Sequence, residues 1–293
     1  MQKTSAIFIL PLISIGAILG GAVCLSSQQA RKEQIMNKDN ETVSPSGVND
    51  LTIKVVYDNN PYKQELGTAW GFSAFIIGTE KNILFDTGGD GSLLLGNMKK
   101  LAIEPNSIDV VVLSHIHGDH TGGLASFLQK NHDVTVFLPE SFPKKFKENV
   151  QKHGAKVGAV REQPVPQPLK ICENVYSTGQ LGRWIKEQSL IIRTKAGLVV
   201  IIGCAHPGIV NIVNTAKELM KDDILLVMGG FHLEWATRGK IEKIISVFKQ
   251  WHVRYVGLCH GSGHKARSLF EKHFGKNYIN IGAGKVISLA DLQ

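Results

Sequence analysis

Ser114-His115-Ile116-His117-Gly118-Asp119-His120-Thr121-Gly122-Gly123-Leu124 is the stretch whose reading decides the fold of this chain. Asp109–Leu113, just before it, is an apolar β-branched run that predicts a buried strand. The apolar-periodic run from Thr121 to Gln129 predicts a helix just after it. The cluster therefore sits on a strand-to-helix loop, where open α/β sheets carry their chemistry. Neutral imidazole and carboxylate suit zinc, iron or manganese. His115 and His117 are two apart, so an extended turn aims both rings to one side. Gly118 lets the chain bend, and Asp119 and His120 then face a second position. The expectation is two metal ions, one on His115 and His117, the other on Asp119 and His120. Three protein ligands on each would leave room for a bridging water.

Working outward, the 293 residues are 43% hydrophobic and 20% charged, the balance of a globular protein with a sizeable core. The net charge of +8 suits an anionic small-molecule substrate or an anionic surface. The lysines and arginines are spread along the chain without a dense block, which argues against a nucleic-acid partner. Ala6–Leu25 carries no charge and follows Lys3, so residues 1–25 read as a signal peptide or membrane anchor. Gly21-Ala22-Val23-Cys24 resembles a bacterial lipoprotein box with Cys24 as the acylated residue, although Val23 departs from the small residue expected there. Residues 26–50 read as a polar linker and 51–293 as the folded domain. The expected location is exported or membrane-anchored, with the domain outside the cytoplasm.

Strands are expected at Leu51–Tyr57, Trp70–Ile77 and Asn82–Phe85, the last ending in Asp86-Thr87-Gly88-Gly89-Asp90. Asp133–Leu138 reads as a strand, Ser141–His153 as a helix, and the three-proline stretch Arg161–Pro168 as a loop. Three later units repeat the pattern of the first. Gly197–Ile202 is a continuous apolar strand leading into Gly203-Cys204-Ala205-His206-Pro207-Gly208 and a helix from Ile209 to Met220. Asp223–Met228 leads into Gly229-Gly230-Phe231-His232-Leu233, and Arg254–Leu258 into Cys259-His260-Gly261-Ser262-Gly263-His264, each followed by a helix. Four histidine-bearing loops after four buried strands predict one shared edge.

His-x-His-x-Asp-His followed by Thr-Gly-Gly-Leu resembles the metallo-β-lactamase superfamily, from roughly Leu51 to the C-terminus. That resemblance implies an α/β fold, an αββα sandwich of two mixed β-sheets flanked by helices, with a dinuclear metal site at one edge. It also implies that Asp86 supports the ligand loop. Many members place a metal-binding histidine near Val175–Gln180, where this chain offers only Gln180. Either Gln180 faces the site or the third ligand comes from elsewhere, and His206 is the residue assigned. His260 is assigned to the second ion. His232 then has no coordination position left and reads as a substrate or proton-transfer group. Cys204 reads first as a small buried hydrophobe, the ordinary state of a free cysteine, with ligation as the alternative. Cys204 and Cys259 are both expected to line the site.

Residues 203–211, 229–233 and 259–263 narrow the resemblance to the dihydropteroate-synthase-like branch, with a departure where His260-Gly261-Ser262-Gly263 replaces His-Cys-Thr-Gly. One archaeal member of that branch is assigned the joining of a dihydropterin to an aminobenzene ribosyl phosphate. The expected function is a metal-dependent hydrolase acting on an ester, lactone or phosphoester-type substrate. It would use two divalent ions, zinc first and iron or manganese as alternatives, with Asp119 and His232 in catalysis. The alternatives are a pterin-type synthase on the same metals and a non-catalytic metal-dependent binding protein at the cell surface.

Overall fold

A computed structural model of the chain describes residues 47–161 and 168–292. The expected leader, nearly all of the linker and most of the three-proline loop lie outside the described residues. Inside the expected linker, Val48 is buried and donates its N–H to the Arg193 carbonyl at 3.0 Å, so the folded part already includes it. Among the described residues, no helix is long and apolar enough to cross a membrane.

Two sheets face each other. The first contains β1 (Thr52–Asp58), β2 (Phe72–Ile77), β3 (Ile83–Phe85), β4 (Val110–Val112), β5 (Thr135–Pro139) and β6 (Lys156–Val160). The second contains β7 (Leu169–Cys172), β8 (Val175–Ser177), β9 (Leu190–Thr194), β10 (Gly197–Ile202), β11 (Ile224–Gly229) and β12 (Tyr255–Leu258). The last strand, β13 (Val286–Ser288), returns to the first sheet and pairs with β1. The strand orders are β13-β1-β2-β3-β4-β5-β6 and β12-β11-β10-β9-β8-β7. Both sheets are mixed: β3 to β6 run parallel, as do β10 to β12, and the remaining pairs are antiparallel.

The apolar runs explain the layers. Along β10, Val199 and Ile201 join the core between the sheets, while Leu198, Val200 and Ile202 join the core against the helices. A strand covered on both faces needs no alternation, which is why this stretch reads as continuous. Helices Ile209–Met220, Arg238–Gln250 and Gly263–Phe274 cover the outer face of the second sheet. Gly91–Lys100, Leu124–Leu128 and Lys144–Lys152 cover the first. The helix expected over Thr121–Gln129 is instead two short ones, Gly118–Thr121 and Leu124–Leu128. Two glycines at the break sit against backbone: a Cβ on Gly122 would meet the Gly89 carbonyl at 2.3 Å and one on Gly123 the Thr87 carbonyl at 2.2 Å. Packing against the Asp86–Asp90 turn therefore sets the chain path here.

Candidate metal centre

The loops after β4, β10, β11 and β12 meet at one edge, and their imidazole rings touch. His115 lies 4.7 Å between ring centroids from both His117 and His206, and 4.2 Å from His120. His206 lies 4.6 Å from His232, and His120 lies 5.0 Å from His260. All six expected ligands converge, with His232 beside them.

Hydrogen bonds orient these rings. His120 Nδ1 is 2.7 Å from Asp86 Oδ2, which holds the proton on Nδ1 and leaves Nε2 as a lone pair. Asp86 also accepts the Ser114 N–H and the Ser114 hydroxyl, each at 2.7 Å. Ser114 Oγ in turn faces His115 Nδ1 at 2.9 Å, so Asp86 braces the whole ligand loop. Asp86 itself takes a positive φ of 55°, as do Ala205 (63°) and His232 (50°). Such backbone in non-glycine residues is uncommon and clusters at functional loops. At Gly203, a Cβ would meet Ser114 Oγ at 2.1 Å, so only glycine lets the two sheets' loops approach this closely.

The donor atoms have the character a cation needs. His120 Nε2, His206 Nε2 and His260 Nε2 are buried without a hydrogen-bond partner among the described residues. Leaving buried polar atoms unpaired costs free energy, so such a set asks for a ligand. His115 Nε2 and His117 Nδ1 lie 3.1 Å apart, a spacing suited to two nitrogens on one ion. Asp119 Oδ2 is 3.2 Å from His260 Nε2 and 3.6 Å from His120 Nε2. His260 Nδ1 faces Asn59 Oδ1 at 3.0 Å and the Gly71 N–H at 3.2 Å.

Electrostatics hold two of the rings neutral, whereas at His120 burial is outweighed by Asp86, which raises it above the usual histidine range. Burial and the neighbouring imidazoles push His115 far below the usual histidine range, and burial with His232 and His117 brings His206 to about 4. Both are neutral at pH 7, as metal ligands must be. Burial raises the Asp119 carboxyl, but the nearby His260 and His120 more than offset it and hold it at about 2.

Glu187 is absent from the sequence-based set. It is fully buried and accepts the backbone N–H groups of Cys204, Ala205 and His206 at 2.9, 2.9 and 2.8 Å. It thereby fixes the loop that presents His206. The adjacent Gln188 donates its N–H to the Ser114 carbonyl at 2.9 Å and ties this segment to the first ligand loop.

Two expectations need correction. Gln180 does not line the cavity; its Oε1 accepts the Ser141 N–H at 2.8 Å and is occupied there. Cys259 does not line it either. Its side chain bonds to buried Asp58 and packs in the core between the sheets. Cys204 does line the cavity.

That cavity, of about 480 Å³, is bordered by Trp70, Asp119, His206, His232, Trp235 and Lys240 among others. Its size is in the range of small-molecule sites. Trp184 borders an adjoining hollow that shares His206.

Residues 70–201 match the model of the metallo-beta-lactamase superfamily. The matched span contains Asp86, the ligand loop and Glu187, while His206, His232 and His260 lie beyond it and are joined to the site by geometry. The chain is 28% identical over 274 residues to the 7,8-dihydropterin-6-methyl-4-(beta-D-ribofuranosyl)-aminobenzene-5'-phosphate synthase of Methanocaldococcus jannaschii, covering 78% of this chain and 92% of that one. Among solved structures it resembles Tm1679, described as a metal-dependent hydrolase of the beta-lactamase superfamily, with 27% identity and a TM-score of 0.65 over 81% of this chain and 98% of that one. YhfI from Bacillus subtilis, at 15% identity, shares the fold with a TM-score of 0.61 over 82% of this chain and all of the other. With two mixed sheets between helices and the histidine loops gathered at their edge, the chain carries a domain that matches the metallo-β-lactamase superfamily over residues 70–201 and has that superfamily's fold.

Proposed function

We propose that the protein is a metal-dependent hydrolase acting on an ester, lactone or phosphoester-type small molecule. The observation that carries this reading is the convergence of the His120, His206 and His260 Nε2 atoms, buried and without hydrogen-bond partners other than the Asp119 carboxylate among the described residues, beside an open cavity lined by Asp119, His206 and His260. His115, His117 and His206 would hold one ion, and Asp119, His120 and His260 the other. Zinc is the ion we propose, because the donors are mainly imidazole. When bound, two such ions would supply Lewis acidity, polarising a substrate oxygen and acidifying water.

The protein's own groups do the rest. Asp119, ionised at neutral pH, is placed to accept a hydrogen bond from an attacking water and orient it. His232, lowered by burial and so neutral, lines the cavity and can take or deliver a proton. Lys240 offers a positive charge to an anionic substrate at the cavity wall. The test is direct. The purified protein should bind close to two zinc ions and hydrolyse members of an ester, lactone and phosphodiester panel, with activity lost on chelation and restored by metal. Full metal loading with no turnover of any hydrolysable substrate would overturn the reading and favour a binding protein.

A second reading, a pterin-type joining reaction, is favoured by the Methanocaldococcus relative and by Trp70 and Trp235 at the cavity. Aromatic walls suit a planar ring. Product formation from a dihydropterin and an aminobenzene ribosyl phosphate, with no hydrolysis, would select it.

His232→Ala separates proton transfer from ligation. We expect both metals to be retained and the rate to fall roughly 10²–10⁴-fold. A normal rate with normal metal would reduce His232 to a loop residue.

We further propose export or anchoring through residues 6–25, on the strength of their uncharged run. Cell fractionation should place the domain outside the cytoplasmic membrane. Full-length chain recovered soluble from the cytoplasm would overturn this.

A further inference from the structure

Trp184 has no task in the chemistry proposed above. Among the described residues the exposed large apolar side chains are Tyr62, Trp70, Trp184, Trp235 and Val286. Trp70 and Trp235 border the metal cavity, whereas Trp184, 91% exposed, borders the neighbouring hollow of about 590 Å³. An indole standing in water forgoes the burial that large aromatics ordinarily gain.

The loop that carries Trp184 is tied at its base. Leu181 and Glu187 exchange both backbone N–H···O bonds, at 2.8 and 3.0 Å, and so close the loop 182–186 between β8 and β9. Glu187 is also the carboxylate that accepts the Cys204, Ala205 and His206 N–H groups. One residue thereby fixes the Trp184 loop and the His206 loop to each other. Gly182, at a φ of 93°, lies between them: a Cβ there would meet the Ile185 carbonyl at 2.6 Å and Pro207 Cγ at 3.4 Å. His206 borders both the metal cavity and the hollow, so a molecule lying over it reaches from one into the other. The other walls of the hollow are Ile185 and Pro207, which are apolar, and Arg183 and Asn211, which are polar. No carboxylate lines it among the described residues.

We propose that the Trp184 hollow is a second substrate subsite, which takes a planar ring bearing an anionic group. The ring stacks on Trp184 against Ile185 and Pro207, and Arg183 meets its negative charge. The substrate is then a two-part molecule, with its reacting bond over the centre and its ring beyond His206, outside the metal cavity. Only the fate of that bond rests on the hydrolase reading; the subsite itself rests on the hollow.

The test is calorimetric binding of 2-naphthoate, a planar ring with one carboxylate, to the full chain in its metal-free and zinc-loaded states. In both states Trp184→Ala should weaken binding roughly 5–10-fold, as expected for the loss of an aromatic pair, and Trp184→Phe should restore most of it. Arg183→Gln should weaken 2-naphthoate and leave the neutral 2-naphthamide unchanged. No binding to the wild type, unchanged affinity in Trp184→Ala, or a loss confined to Trp235→Ala would overturn the subsite. So would a Trp184 emission shift, taken by difference from Trp184→Phe, that appears on phosphatidylglycerol vesicles and not with 2-naphthoate, which would give the indole to a lipid surface. Binding that depends on Trp184, in a protein that turns over no hydrolysable substrate, would keep the subsite and remove the hydrolase reading.

Discussion

Alanine at His206 or at His260 is expected to strip one ion from the pair, so that metal content falls from two towards one per chain and hydrolysis collapses with it. Each ring turns a buried Nε2 towards the centre, that of His206 without a hydrogen-bond partner among the described residues and that of His260 facing Asp119 Oδ2 at 3.2 Å. The loss of rate should exceed the ~10²-fold that removing an outer hydrogen-bond partner of a ligand can cost. Metal analysis and steady-state rates on the same preparations check this. If His232→Ala lost metal while His206→Ala stayed fully loaded, the β10 and β11 loops would have to exchange roles.

The second large effect is expected at Asp86. This carboxylate is completely buried and answers three donors, the Ser114 N–H, the Ser114 hydroxyl and His120 Nδ1, each at 2.7 Å. Asp86→Ala would orphan all three at once. Leaving a buried donor unsatisfied costs about 1–3 kcal/mol, and with some relaxation the three together cost about 3–5 kcal/mol. In a domain of this size that lowers the melting temperature by roughly 6–20 °C. His120 would also lose its orienting partner, and metal affinity should fall a further ~10–100-fold. Thermal unfolding of the metal-free protein isolates the first effect, and competition against a chelator measures the second. An Asp86→Ala variant as stable as the parent would mean that this network is dispensable.

Much of the site was legible because its residues follow strands whose burial leaves a plain signature. β4, β10 and β11 are apolar at every position, and each hands the chain to a histidine loop. What was not legible depended on side-chain direction or on distant partners. Cys204 and Cys259 look alike in sequence, each at a strand end near a histidine. Cys204 goes with His206 into the site across a left-handed turn at Ala205, which no sequence periodicity announces, while Cys259 turns away from His260 into the core. Glu187 lies in a polar stretch without periodicity, and its three N–H partners are 17 to 19 residues away. No local pattern announces a carboxylate recruited across a hairpin. Gln180 was drawn in by position alone, and the structure gives its amide oxygen to Ser141.

The tryptophans around the cavity also make the protein its own optical reporter. The chain has four, and Trp70, Trp184 and Trp235 are respectively 51%, 91% and 92% exposed around the metal centre. Only Trp251 sits elsewhere, partly buried against the helical layer. Most of the intrinsic fluorescence therefore originates within reach of any ion or ligand that enters. Open-shell ions such as cobalt quench nearby indoles by energy transfer, and a ring stacked on Trp70 or Trp235 would quench them by contact. Occupancy of the centre can thus be followed by emission in an unlabelled sample, before any substrate is known.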